Sequence, residues 1–232
     1  MVDDPQSLNA PTRRDQVEGE GAIRGTARME AFADAVFAIA FTLPVVEIVV
    51  PETEGGGAKL GHELAVLAPA YAGYILASAV IGLYWVQHHF SGAIFRSTGH
   101  WFVIATTGFL AAVGFIAFPA RVFAEHFLDA AARPAAVQYW VGSLAVLSFA
   151  WLLKWSVGCT HGHIDARLEP DYVQRLTRHY RIVGLLNGVA AILVFWHWPS
   201  GLILSGALVA WLLVPPATPR YITEAPIIEG EG

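Results

Sequence analysis

The sequence predicts an all-α integral membrane protein with six transmembrane helices, and three observations carry that prediction. Of 232 residues, 55% are hydrophobic and only 14% are charged, whereas an ordinary soluble domain is about one quarter charged. Six apolar runs, at roughly 29–50, 63–87, 101–119, 135–158, 181–198 and 200–215, match or approach the roughly 20 residues needed to cross a hydrocarbon core. Almost no amphipathic helix remains to cover them in water.

Taken in order, the first two dozen residues are rich in Gly, Asp, Glu and Arg and bury too little apolar surface to offset the cost of ordering. Residues 1–26 are therefore expected to be a mobile tail. No apolar run precedes Arg28, so the h-region of a cleaved signal peptide is missing and the first span is expected to stay in the mature chain. That span carries Glu30, Asp34, Thr42 and Glu47, with Arg28 at its entry. A central charge costs about 2.5–3.5 kcal/mol on insertion scales, so this helix is expected to face protein or water. The second run ends in Trp85-Val86-Gln87-His88-His89. The last two runs are short and share the turn His197-Trp198-Pro199-Ser200, which predicts a tight helical hairpin. Beyond Pro215 the composition becomes polar again, giving a transmembrane domain over 27–216 and a second tail over 217–232.

Orientation follows from Lys and Arg in alternate loops. With the N-terminus inside, eleven fall on the cytoplasmic side (Arg13, Arg14, Arg24, Arg28, Arg96, Lys154, Arg167, Arg175, Arg178, Arg181 and Arg220) and three outside (Lys59, Arg121 and Arg133). Both termini are expected in the cytoplasm. Trp85, Trp101, Trp155, Trp196 and Trp198 fall near predicted helix ends, where an indole can bury its ring and keep its N–H wet.

Several function classes are disfavoured. A net charge of −5 leaves no basic stripe for nucleic acid. The single Cys159 allows neither an intrachain disulfide nor a thiolate zinc site. No nucleophile elbow, phosphate loop or metalloprotease motif is present, so neither an enzyme nor a cofactor is expected. His161, His163 and Asp165 are ligand-type side chains in a polar loop, where solvation is the usual outcome. A haem ligated by His88 or His89 is a remaining alternative.

On the first helix, Ile39, Leu43 and Val46 share one face, with Thr42 on its flank. Spacing alone fits a helix-packing stripe. The string Arg28-Met29-Glu30-Ala31-Phe32-Ala33-Asp34, followed by AVFAIAFTLPVVEI, resembles the RxxxFSD signature and pore helix of the transmembrane protein 175 (lysosomal potassium channel) family. The Trp85 to His89 string is similar to the WxxHH ending of helix two in that family, and the length fits its single-repeat bacterial members. The resemblance implies a homotetramer around a central pore lined by helix one, permeable to potassium with a modest preference over sodium. It also implies a constriction of apolar rings at Ile39, Leu43 and Val46, and a bacterial inner-membrane location.

Two departures stand out. Ala33 occupies the usual Ser position, and Pro44 cannot donate to the Ala40 carbonyl and is expected to kink the helix. Thr42 is a candidate ion contact, or else bonds back to the Ala38 carbonyl. Glu47 is either a carboxylate ring at the outer mouth or a solvated helix end. Arg28, Phe32, Asp34, Trp85, His88, His89 and Asn187 are expected to form the signature and a polar network at the inner end of the pore helix. The competing function is a proton-coupled secondary transporter using Asp34, Glu47 and the histidines as relay groups.

Overall fold

The computed structural model describes residues 25–51, 57–215 and 218–222. Helix α1 (Ala27–Thr42) continues into a 3-10 turn (Leu43–Glu47). The helices α2 (Gly57–Val66), α3 (Ala68–Gly92), α4 (His100–Phe115), α5 (Ala117–His126), α6 (Arg133–Thr160), α7 (Pro170–Leu193) and α8 (Trp198–Trp211) follow. Most of the tail residues expected over 1–26 and 217–232, with Arg13, Arg14 and Arg24, lie outside the described residues.

Prolines punctuate this architecture. Pro69, Pro134, Pro170 and Pro199 each stand in the first turn of a helix, where a missing N–H costs nothing and the fixed φ suits the helix. Pro44 and Pro119 act differently, because each follows helical residues. Pro44 marks the change from α-helix to 3-10 geometry at the end of α1. Pro119 cannot bond the Phe115 carbonyl, and the span from His100 to His126 breaks into α4 and α5 at Ile116.

Four segments are long and apolar enough to cross a membrane: Ala27–Glu47, Ala68–Gly92, His100–His126 and Arg133–Thr160. Helix α8 is apolar but has 14 residues. Helix α7 has 24 residues, but Asp171, Arg175, Arg178 and Arg181 occupy its first half and lower its hydropathy.

Helix α3 packs on α5, α4 on α6, α6 on α7, and α7 on α8, while α1 rests on α3 and α4. Aromatic rings join the layers. Trp151 of α6 meets Tyr84 of α3, Phe109 of α4 and Tyr180 of α7 edge-on, at centroid distances of 6.2, 5.2 and 5.4 Å. Trp155 meets Phe95 and Tyr180 in the same way. Trp155, expected at the membrane interface, is instead 1% exposed, with its indole N–H donated to Thr177 Oγ1 at 2.9 Å. Trp101 and Trp196 are exposed, as interfacial residues would be.

The loops beside the ends of α3 and α6 are tied together. Arg96 N donates to His163 O and Asp165 N to Ile94 O, both at 2.9 Å, joining the α3–α4 and α6–α7 loops. The described part of the C-terminal segment extends this pairing, with Glu169 N donating to Arg220 O and Ile222 N to Arg167 O.

Candidate functional site

Helix α1 has two unlike faces. Ala33, Phe37 and Ala40 are buried against the rest of the chain, while Ile39, and Leu43 and Val46 in the 3-10 turn that continues the helix, are 59%, 55% and 72% exposed. The fully buried Ala33 sits in the apolar core, a setting that offers little to the hydroxyl a Ser would bring there. Thr42 Oγ1 donates to Ala38 O at 2.8 Å, which commits its proton to the helix and leaves its lone pairs on the exposed side. Beside Pro44, Ser78 of α3 lies 3.5 Å from the Phe41 carbonyl.

The signature residues divide among four places. Trp85 Nε1 donates to Asp34 Oδ1 at 3.2 Å, and the Trp85 ring stacks on His89 at 5.5 Å. Arg28 and Phe32 line a hollow of about 560 Å³ with Gly99, His100, Val103 and Thr106. Asn187 lies apart from both, hydrogen bonded to Val183 O at 3.1 Å and within 3.4 Å of Ser148 Oγ and Ser205 Oγ, so it joins α6, α7 and α8.

His88 turns inward. Its Nδ1 lies 2.7 Å from Lys154 Nζ, which also donates to Ser91 Oγ at 3.1 Å. Lys154 is 1% exposed, over the Trp151 ring at 4.4 Å. A lysine counted by sequence among the cytoplasmic loop charges is therefore inside the helix packing.

At the far end of α1, Glu47 Oε2 pairs with Arg121 Nη1 of α5 at 3.0 Å, and Arg121 also holds Glu125 at 2.7 Å. In the opposite loops, Asp165 is buried and receives Arg96 Nε at 2.6 Å and Arg167 Nη2 at 2.9 Å. Hydrogen bonds from the Arg167 side chain and backbone, then from Arg96, hold its carboxyl well below the usual carboxylate range. His163 stacks on Phe102 at 5.3 Å and lies 2.9 Å from Ser97 Oγ. Burial, then nearby His161, lowers its pKa. Structural contacts thus engage both Asp165 and His163.

The model of the family described as endosomal/lysosomal potassium channel TMEM175 matches residues 28–117, which contain both sequence strings. A potassium channel of Chamaesiphon minutus is 34% identical over 176 residues, covering 73% of this chain and 84% of the relative. The chain belongs to the TMEM175 family. A potassium channel of Streptomyces collinus is 30% identical over 182 residues, covering 78% of this chain and 88% of the relative. The crystal structure of a lysosomal potassium-selective channel TMEM175 homolog from Chamaesiphon minutus superposes with a TM-score of 0.68 at 28% identity, covering 83% of this chain and 98% of that one.

This TMEM175-family member is a multi-pass membrane protein. Sequence reasoning missed two residues of the site, Lys154 and Arg121. A lysine inside the apolar run 135–158 is itself a signal, because an ionisable residue within a span needs a partner. For Arg121 the pairing with Glu125, four residues on, has helical spacing, whereas nothing in the sequence pointed to Glu47, 74 residues upstream.

Proposed function

We propose that the protein is a potassium-permeable cation channel, a homotetramer of six-span subunits around a pore lined by α1. Rings of Ile39, Leu43 and Val46 form its constriction. It prefers potassium over sodium modestly and sits in a bacterial inner membrane with both termini cytoplasmic. The observation that carries this reading is the exposed side of the first span, where the apolar Ile39, Leu43 and Val46 are exposed together with Thr42, and Arg28 is exposed in its first turn. Apolar side chains alone would suit lipid, but a span that also exposes Arg28, the Thr42 hydroxyl and, on its α3 flank, the Asp34 carboxylate is costly to leave in hydrocarbon. Only 17% of its apolar window is buried within the subunit, against 33–50% for the other three candidate spans. Several copies around a cyclic axis would cover it and enclose a conduit that gates by dewetting. The named potassium channels among its relatives support the choice of ion.

In this reading Thr42 presents lone pairs to a partly dehydrated cation. Glu47 shares its charge with Arg121, so the outer mouth is less negative than a bare carboxylate ring. The test is potassium-gradient flux in liposomes, repeated with sodium, for the unaltered protein, Ile39→Ala and Leu43→Ala. Flux without a coupling ion, with ion preference altered by either substitution, supports the channel. Dependence on a counter-moving proton would favour the secondary transporter, and indifference to both substitutions would return the stripe to a packing or lipid-facing role.

A further inference from the structure

The first half of α7 presents three exposed arginines, Arg175, Arg178 and Arg181, along one hollow with Asp171, Gln174 and Ile182. Their depth is set by neighbouring contacts. Thr177 bonds Trp155, and Tyr180 packs on both Trp151 and Trp155. The turn carrying Arg178 and Arg181 therefore lies beside Trp151 to Trp155 of α6, roughly 7–14 Å short of the α6 end at Thr160 at 1.5 Å per residue. Helix α6 has 28 residues and exceeds a hydrocarbon core of about 30 Å by about 12 Å. Shared between the two ends, that excess puts the backbone of Arg178 and Arg181 about 1–8 Å inside the hydrocarbon boundary, from where a long arginine stem reaches the headgroups.

The same side of α7 continues into the exposed Leu185, Val189 and Ile192, a surface suited to acyl chains. The charge balance is one-sided. Arg175 stands 3.9 Å from Glu169, and among the described residues no carboxylate forms an ion pair with Arg178 or Arg181. Arg175 also borders a cavity of about 230 Å³ between α7 and α8, lined by Leu176, His179, Trp211 and Val214. A cationic ladder within reach of the headgroups thus adjoins both an apolar face and a cleft lined by Leu176, Trp211 and Val214 with Gln87 and His179.

We propose that Arg175, Arg178 and Arg181 bind the phosphate of anionic phospholipids in the leaflet beside the first half of α7. Guanidinium groups suit this task because their planar donors match phosphate oxygens in pairs. Long stems let the charges reach the headgroups while lying along apolar surface. The site concerns a lipid-facing surface and is separate from the α1 stripe.

The test is native mass spectrometry of the full-length protein titrated with phosphatidylglycerol or phosphatidylcholine, with oligomeric state followed by light scattering. Preferential retention of phosphatidylglycerol is expected, weakened roughly 25-fold in R178Q/R181Q at about fivefold per basic residue. The charge-preserving R178K/R181K variant is expected to keep most of the preference, and decides the matter if the glutamine variant does not fold. Equal retention by R178Q/R181Q, or no preference in the unaltered protein, would overturn the proposal. Displacement of the lipid by millimolar inorganic phosphate would mark a site for free anions instead. Changed subunit number in R178Q/R181Q would identify this face as a contact between copies.

Discussion

The indole N–H of Trp85 lies 3.2 Å from Asp34 Oδ1, and through this bond the two sequence strings that carry the family resemblance touch. Because the acceptor is a carboxylate on α1 and the donor ring is stacked on His89, the bond fixes α1 against α3 where α1 is otherwise sparsely covered.

Replacing Trp85 with Phe keeps an aromatic ring but removes the donor, and is expected to destabilise the detergent-solubilised protein by about 1 kcal/mol. Trp85→Ala loses the ring as well and is expected to cost more. Thermal unfolding of both variants measures the difference, and equal stability of all three proteins would leave the bond without a structural role.

The Lys154 and His88 nitrogens, 2.7 Å apart in the protein interior, are one donor and one acceptor. Removing His88 leaves the buried Lys154 with Ser91 Oγ as its remaining hydrogen-bond partner, so His88→Leu is expected to lose about 1–3 kcal/mol. Combining it with Lys154→Met removes both polar groups, and the pair is expected to cost clearly less than the sum of the two single changes. Denaturation of the four proteins in a double-mutant cycle gives the coupling directly.

Gly201 opens α8 against α7. A Cβ there would collide with Val194 Cγ1 and lie 2.8 Å from the Ala190 carbonyl oxygen and 2.9 Å from Val194 N. Two of those three neighbours are backbone atoms and cannot turn aside. Gly201→Ala is therefore expected to cost about 1–3 kcal/mol by overpacking. Loss of monodispersity in gel filtration, or a lowered melting temperature, would register it, whereas Gly206→Ala, with open space at its Cβ, is expected to be tolerated.

Asp165 ties the loops and the segment around Arg220 together. Its carboxyl is held below the usual range when folded, so its stabilisation is fully present above the ordinary carboxylate pKa of about 3.9 and fades only as pH falls through the lower folded value. Hydrogen exchange at the Glu169 and Ile222 amides is expected to keep the same protection factor from pH 8 to pH 5. Asp165→Asn is expected to lower that protection across the whole interval.

Hydropathy located the four candidate spans and the α7–α8 hairpin, because long apolar runs survive in any environment. It did not locate where α7 begins. The arginines that break the apolar pattern before residue 181 belong to the same helix, which starts at Pro170. The run at 63–87 divides at Leu67 into α2 and α3, a break placed by Pro69. Within the site, helical periodicity grouped Ile39, Leu43 and Val46 but did not give the 3-10 turn that carries the last two, while the Thr42 back-bond was legible as one of two outcomes. The His88 partner was not, since Lys154 is 66 residues away and its burial depends on the packing of Trp151 and Phe109. Asn187 is polar within the apolar second half of α7, as the expected network would require, yet its partners are Ser148, Val183 and Ser205.

The order of the chain bears on how Lys154 reaches its place. His88 and Ser91 precede it by 66 and 63 residues, an interval of roughly 3–13 s at 5–20 residues per second of synthesis. When the ribosome delivers the lysine, both acceptors have already been made, and α6 can enter beside a helix prepared to receive its charge. A rearranged gene that encoded α6 before α3 would send an unescorted ammonium to the translocon first.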